Sequence, residues 1–292
     1  MRRVQPQEDW PEHWKTSYAY DLLEVYGEPR GNRGYAYAYR NRREATLDLV
    51  RRAAPSGAAV LDVAAAQGNF SLLLAEMGYR VTWNDLREGL ADYVGLKRER
   101  GEIEFRPGNV FGLDLPDAFD VVLLLEVIEH VAHPEELLRK AAGLVRPGGH
   151  VVLTTPNGRY LANRLPRLAD IENRAELERM QFKPDADGHL FLLHPDDLPG
   201  LAGGAGLVLR EVRHFTNPLT AGHMKLSPLL GLLPGGLVRA LDRVTRASPA
   251  FLRHRLHAHM AAFFERPGRH APARPSPSEP ARVRQGAAAK GE

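Results

Sequence analysis

The sequence predicts an α/β protein built on a doubly wound, mostly parallel seven-stranded sheet with helices on both faces. Three observations carry that expectation. Strand and helix patterns alternate from about Ala58 to Thr155, one strand pattern, "DVVLLL", is continuously apolar, and two alternating segments follow at "LVLREVRHF" and "LHAHMAAFFER". An uninterrupted apolar strand is what a parallel sheet covered on both faces requires. Such sheets take ligands at the carboxyl ends of their strands.

In chain order, residues 10–53 read as helical and aromatic-rich, with Trp10, Trp14 and six tyrosines from Tyr18 to Tyr39. "AAVLDV" is then a strand, "NFSLLLAEMG" a helix, "YRVTWND" a strand and "EIEFRPGN" a short strand. "FDVVLLLE" is a long strand, "HPEELLRKAAGLV" a helix and "HVVLTTPN" a strand. Pro134 at the first turn and Glu135 and Glu136 at the positive end mark the start of that second helix. Pro147, Gly148 and Gly149 are expected to stop it. Residues 158–205 are polar and read as mostly helical. Between the last two strands, residues 217–255 read as Pro-broken apolar helix. The final strand is expected at an edge, with His257 and His259 on a solvated face. The organisation expected is a helical cap over 1–53, one domain over 54–266 with insertions at 158–205 and 217–255, and a tail over 267–292.

Apolar residues make up 43% of the 292 and charged ones 26%, an ordinary balance for a soluble globular protein. The absence of cysteine excludes disulfides, thiolate metal sites and thiol nucleophiles. The first thirty residues lack the apolar core of a signal peptide. The longest apolar stretch, "LSPLLGLLPGGLV" from Leu226, falls short of the ~20 residues that span a bilayer. No transmembrane segment is therefore expected, and a cytoplasmic location is. That stretch suits a lipophilic pocket, a membrane surface or a core edge equally.

The sequence pI is about 9.2, but the charge is unevenly placed. The Pro-, Ala- and Ser-rich tail from Pro267 carries five basic and two acidic residues, while the remaining 266 residues balance at 34 of each sign. The tail is expected to be disordered. A nucleic acid is not expected as a partner, although a local basic patch stays open. Nothing in the sequence fixes an oligomeric state.

The stretch "VLDVAAAQGNFSLLLAE" from Val60 is strand, tight small-residue loop and helix, which brings backbone N–H groups to one point. Ala64 and Ala66 permit close approach but lack the positive-φ freedom of glycine, leaving Gly68 as the loop's one glycine. An acidic residue about 20 positions on should accept ribose hydroxyls, and Asp85 stands there. A dinucleotide would want three glycines over its pyrophosphate, so the loop points to a ligand without one.

Together with "VTWNDL", "LLEVIEHVAHPEELLRKAAGLVRPGGHVVLTTPN" and "GHLFLLHPDDLPGLAGGAGL", this stretch resembles the class I S-adenosylmethionine-dependent methyltransferases. The chain looks most like the ubiquinone-biosynthesis O-methyltransferases and their bacterial relatives. The resemblance runs from Arg40 to Phe264 and is strongest over Val60–Asn157. It implies a Rossmann-like fold and S-adenosylmethionine as cofactor, with a small-molecule acceptor. Carried over, Asp62, Ala64 and Gly68 approach the methionine part, Asp85 takes the ribose, and Asn109 and Val110 meet the adenine. Leu125 lines the methionine end with its backbone, and Arg43 lies near the arginine that meets the carboxylate in some relatives. Alanine in place of two loop glycines and Asn109 in place of an acid depart from the family pattern and imply weakened binding, since an amide oxygen still accepts a hydrogen bond.

A hydroxyl nucleophile needs its proton removed, usually by His, Glu or Asp. "EVIEH" puts Glu126, Glu129 and His130 just after the fourth strand, and His189 of "DGHLF" is a second candidate. His130 and His189 are thus the candidate bases, set against the alternative that His130 only braces its loop. Relatives that hold Mg²⁺ or Mn²⁺ imply a second arrangement, with Glu126, Glu129, His130 and His189 as ligands for a divalent metal that acidifies a vicinal diol, an RNA 3′ end included. That metal is not the favoured reading. A cofactor-binding relative without catalysis and a nicotinamide dehydrogenase are the remaining alternatives.

Overall fold

The computed structural model describes residues 1–28, 33–181, 188–221, 230 and 232–268. Its strands are β1 (Ala59–Val63), β2 (Arg80–Asn84), β3 (Ile103–Phe105), β4 (Phe119–Leu125), β5 (Val145–Pro156), β6 (Val208–Phe215) and β7 (His259–Glu265). They form one sheet in the order β3-β2-β1-β4-β5-β7-β6. The first five are parallel, and β7 runs antiparallel between β5 and β6. The helices described are α1 (Glu12–Glu24), α2 (Arg33–Ala53), α3 (Asn69–Glu76), α4 (Leu90–Lys97), α5 (Pro134–Leu144), α6 (Arg174–Gln181), α7 (Leu198–Gly204), α8 (Gly235–Arg246) and α9 (Ala250–Leu256).

The apolar run of β4 feeds two cores at once, because successive side chains leave opposite faces of a strand. Val121 and Leu123 join Val60, Leu72 of α3 and Leu49 and Val50 of α2. Val122 and Leu124 join Leu61, Leu138 and Ala141 of α5 and Leu198 of α7. Each such fully buried side chain contributes roughly 1.5–3 kcal/mol. β1 lies between β2 and β4, with Val63 paired to Leu124. The strand order reverses there, which opens a crevice at the carboxyl ends of β1 and β4.

Several local expectations shift. The eight-residue helix α4, "LADYVGLK", fills the β2–β3 crossover where sequence suggested none, since it is short and interrupted by Gly95. β5 begins at Val145 directly after α5, so Pro147, Gly148 and Gly149 lie inside a strand rather than in a turn. Among its described residues the 158–205 region is less helical than expected: α6, α7 and two single turns at Leu168–Asp170 and Pro195–Asp197. β7 is an interior strand, and β6 is the edge. His257 is consequently wholly buried rather than solvated. Of the stretch from Leu226, residues 226–229 and 231 lie outside the described residues, as does the tail from 269. Among the described residues no helix is long and apolar enough to cross a membrane.

Candidate active site

After β1 the chain turns through Ala64, Ala66 and Gly68 with φ of 54°, 48° and 69°. Left-handed backbone costs an L-residue about 1–2 kcal/mol, so two alanines hold the shape of a glycine loop under strain. Gly68 has no substitute, because a Cβ there would stand 2.7 Å from Val94. The loop is pinned from β2: Ala66 N–H donates to Asp85 Oδ2 at 2.8 Å, and Trp83 Nε1–H donates to Ala66 O at 3.1 Å. Asp85 Oδ1 also accepts from the backbone N–H and Nε–H of Arg87, both at 2.9 Å. Asp62 lies beneath, accepting from Ser71 Oγ at 2.6 Å, and burial with Asp85 nearby pushes its carboxyl up to about 7.

The Asn84 side chain donates to Arg106 O and Gly108 O at 2.8 and 2.9 Å, drawing "RPGNVF" to the same sheet edge. Val110 is buried there. Asn109 is exposed, its amide oxygen accepting from Phe111 N–H at 3.1 Å. Leu125 is the half-buried last residue of β4.

A buried polar network beneath the loop was not foreseen. Asp21 Oδ2 of α1 accepts from Lys97 Nζ and Tyr93 OH, both at 2.7 Å, and both charged side chains are fully buried. Asn69 Nδ2 donates to Asp21 Oδ1 and Glu24 Oε2 at 2.8 Å each. Tyr35 OH donates to Glu24 Oε1 at 2.6 Å, and Gln67 Nε2 to Glu24 Oε2 at 3.0 Å. Two of the tyrosines serve packing: Tyr35 on this network, and Tyr39 against Phe70. Arg42 lies over Tyr39, with its guanidinium 3.8 Å from Glu24 and 3.8 Å from Glu126. Arg43, the residue sequence pointed to, forms no hydrogen bond or ion pair among the described residues.

Beyond β4, Glu126 takes φ of 52° while its N–H donates to Thr154 O at 2.9 Å. Its Oε2 lies 3.8 Å from both Arg42 and His259 Nε2. Glu129 is wholly buried. Its Oε2 accepts from Thr155 Oγ1 at 3.0 Å, whereas Oε1 has no hydrogen bond and lies 4.0 Å from His130 Nε2 and 3.9 Å from His189 Nε2. Burial, with Glu126 adding to it, holds the Glu129 carboxyl well above its ordinary range. His130 Nδ1 donates to Gly188 O at 3.1 Å, and its ring meets His189 edge-on at 4.9 Å. Burial and His130 push the His189 imidazole down. Ligand atoms of Glu129, His130 and His189 lie within 4.8 Å of one another. Three of the four residues named for a metal thus gather, and Glu126 turns toward Arg42 and His259 instead.

A small-residue loop, an acid at the next strand end and two histidines after β4 converge at the crevice. The sequence model described as a methyltransferase domain matches residues 37–212. The chain belongs to this methyltransferase family. The methyltransferase is 32% identical over 179 residues to the ubiquinone biosynthesis O-methyltransferase of Stutzerimonas stutzeri, covering 59% of this chain and 74% of that one. It is 33% identical over 183 residues to the same-named protein of Pseudomonas entomophila, covering 60% and 75%. It shares its fold with an S-adenosylmethionine dependent methyltransferase from Mesorhizobium loti (TM-score 0.50, 18% identity, 75% of this chain and 96% of that one). A methyltransferase solved in complex with the Haloferax volcanii Trm112 methyltransferase activator matches likewise (TM-score 0.53, 16% identity, 82% and 95%). The protein is an S-adenosylmethionine-dependent methyltransferase with a Rossmann-like fold.

Within this methyltransferase, sequence reasoning reached both histidines and the acids at the ends of β1 and β2. It missed Arg42, Glu24 and His259. Arg42 is one residue from the expected arginine, a difference of about 100° around a helix. His259 reaches the edge only because β7 starts opposite Pro156 and Phe215, a pairing no local pattern shows.

Proposed function

We propose that this methyltransferase methylates a hydroxyl of a small aromatic or glycosidic acceptor, with His130 as the general base. The observation that carries this reading is the hydrogen bond from His130 Nδ1 to Gly188 O. A carbonyl only accepts, so Nδ1 keeps its hydrogen there, and in the neutral ring the accepting nitrogen is then Nε2. When bound, S-adenosylmethionine supplies an electrophilic methyl group. Arg42 and Glu126, opposite charges 3.8 Å apart, suit the carboxylate and ammonium of its amino-acid end. The buried Glu126 Oε1 has no hydrogen-bond partner and can accept from that ammonium. Asp85 suits the ribose hydroxyls. His130 Nε2 takes the acceptor's proton, and neutral His189 orients the same hydroxyl.

A second reading has its own support in the gathered trio Glu129, His130 and His189, where two imidazoles and a carboxylate suit a divalent cation. Titration with S-adenosylhomocysteine in chelator, then in excess Mg²⁺ or Mn²⁺, separates the two when paired with turnover of a catechol and glycoside panel. His130→Gln is expected to cut turnover at least about 100-fold while leaving S-adenosylhomocysteine affinity unchanged. Full turnover by that variant would remove the base role. Turnover abolished by chelator in the parent would favour the metal.

A further inference from the structure

Away from the crevice, α8 meets α2 at Asp242 and presents Arg239, Arg243 and Arg246 along one flank. These three lie at i, i+4 and i+7, so their side chains stand in a row. Together with Arg40 of α2 they line a cavity of about 210 Å³ between the two helices. Arg40 is held over the ring of Tyr37 at 5.1 Å. Its partners in that cavity are two carboxylates, Glu44 and Asp242. Neither forms a salt bridge with the four arginines, although Arg246 Nε donates to Asp242 O at 3.2 Å and its charge draws against the burial of the Asp242 carboxyl. Asp242 is already engaged: its Oδ1 accepts from Asn217 Nδ2 at 2.7 Å, its Oδ2 from Asn41 Nδ2 at 3.4 Å, and burial pushes its carboxyl up. Four guanidiniums around one cavity repel one another, and like charges at i, i+4 weaken a helix. An anion bound among them reverses that cost.

We propose that the cavity between α2 and α8 is a binding site for a phosphoryl group, held by Arg40, Arg239, Arg243 and Arg246. A tetrahedral dianion matches several guanidinium forks at once, which a lone carboxylate does not. The group belongs to a soluble phosphorylated metabolite or to a phospholipid headgroup. The site is independent of the reading of His130, since none of its four arginines lines the crevice.

The test uses the full chain. Inorganic pyrophosphate at constant ionic strength, with chloride as control, is expected to raise the unfolding temperature, and phosphatidic acid vesicles are compared with phosphatidylcholine vesicles for sedimentation of the protein. Arg239→Gln, Arg243→Gln and Arg246→Gln combined removes three forks. Each lost charged pairing lowers affinity about tenfold or more, so the triple variant is expected to lose the response. All three side chains are exposed, and the unfolding temperature of the unliganded variant is the baseline against which its own response is read. Protection by pyrophosphate alone assigns a soluble ligand, and capture by phosphatidic acid vesicles assigns the headgroup; both support the site. No response in either arm, or an equal response in the triple variant, overturns it.

Discussion

Ala64, Ala66 and Glu126 carry the strain of the crevice, each a side-chain-bearing residue in left-handed backbone. Replacing either alanine by glycine relieves about 1–2 kcal/mol of strain but adds about 0.5–1 kcal/mol of unfolded-chain entropy. Ala64→Gly and Ala66→Gly are each expected to raise the melting temperature by about 2 °C, read by calorimetry; a fall in both would show that the methyl groups pack usefully. Glu126 is a different case. Strain kept on a charged residue at the crevice points to a role for its side chain. Glu126→Gln keeps the backbone and loses the charge facing Arg42, so S-adenosylhomocysteine affinity is expected to fall about tenfold by titration calorimetry. Unchanged affinity would place the cofactor's ammonium elsewhere.

At the scale of elements, α1 is tied down by charge more than by apolar burial. Lys97 of α4 and Asp21 of α1 form a fully buried pair joined to Asn69 and Tyr93, so the network fixes α1 against both α3 and α4. Removing one partner leaves an uncompensated buried charge. Lys97→Met is expected to lower stability by about 3–5 kcal/mol in urea unfolding, with Asp21→Asn added on top restoring part of it. A loss under about 1 kcal/mol would mean that water reaches Asp21. The helical character of α1 was legible from its residues. Its buried polar face was not, since a serine, an aspartate and a glutamate are the residues it buries.

Across the whole molecule, β6, α9 and the residue that caps α9 bring His214, His254 and His257 together. His214 stacks on His254 at 4.6 Å and lies 6.4 Å from His257. Burial, with His254 and His257 adding to it, pushes His214 from 6.5 down to about 3. An imidazole kept neutral in the fold but protonated in the unfolded chain stabilises the protein fully above pH 6.5. That contribution is lost as pH falls from 6.5 toward 3, at about 1.4 kcal/mol per pH unit. Glu24 and Glu129, whose carboxyls burial pushes up, act in the opposite direction. The comparison with His214→Phe isolates the histidine: the parent is expected to lose stability relative to the variant between pH 6.5 and 4.5. Parallel profiles for the two proteins would show that His214 stays hydrated.

By itself the sequence determined the doubly wound sheet, the strained loop after β1, Asp85 at the end of β2 and the histidines after β4. Each is written in contiguous residues: apolar alternation within a strand, small residues in a turn, an acid at a fixed distance along one crossover. Only the tertiary structure decided that Arg42 rather than Arg43 faces the crevice, that Glu126 leaves the Glu129–His130–His189 group, that β7 is interior, and that arginines of α2 and α8 line one cavity. Those outcomes depend on which face of a helix meets which neighbour. Packing of segments up to two hundred residues apart sets that choice, and no local spacing encodes it.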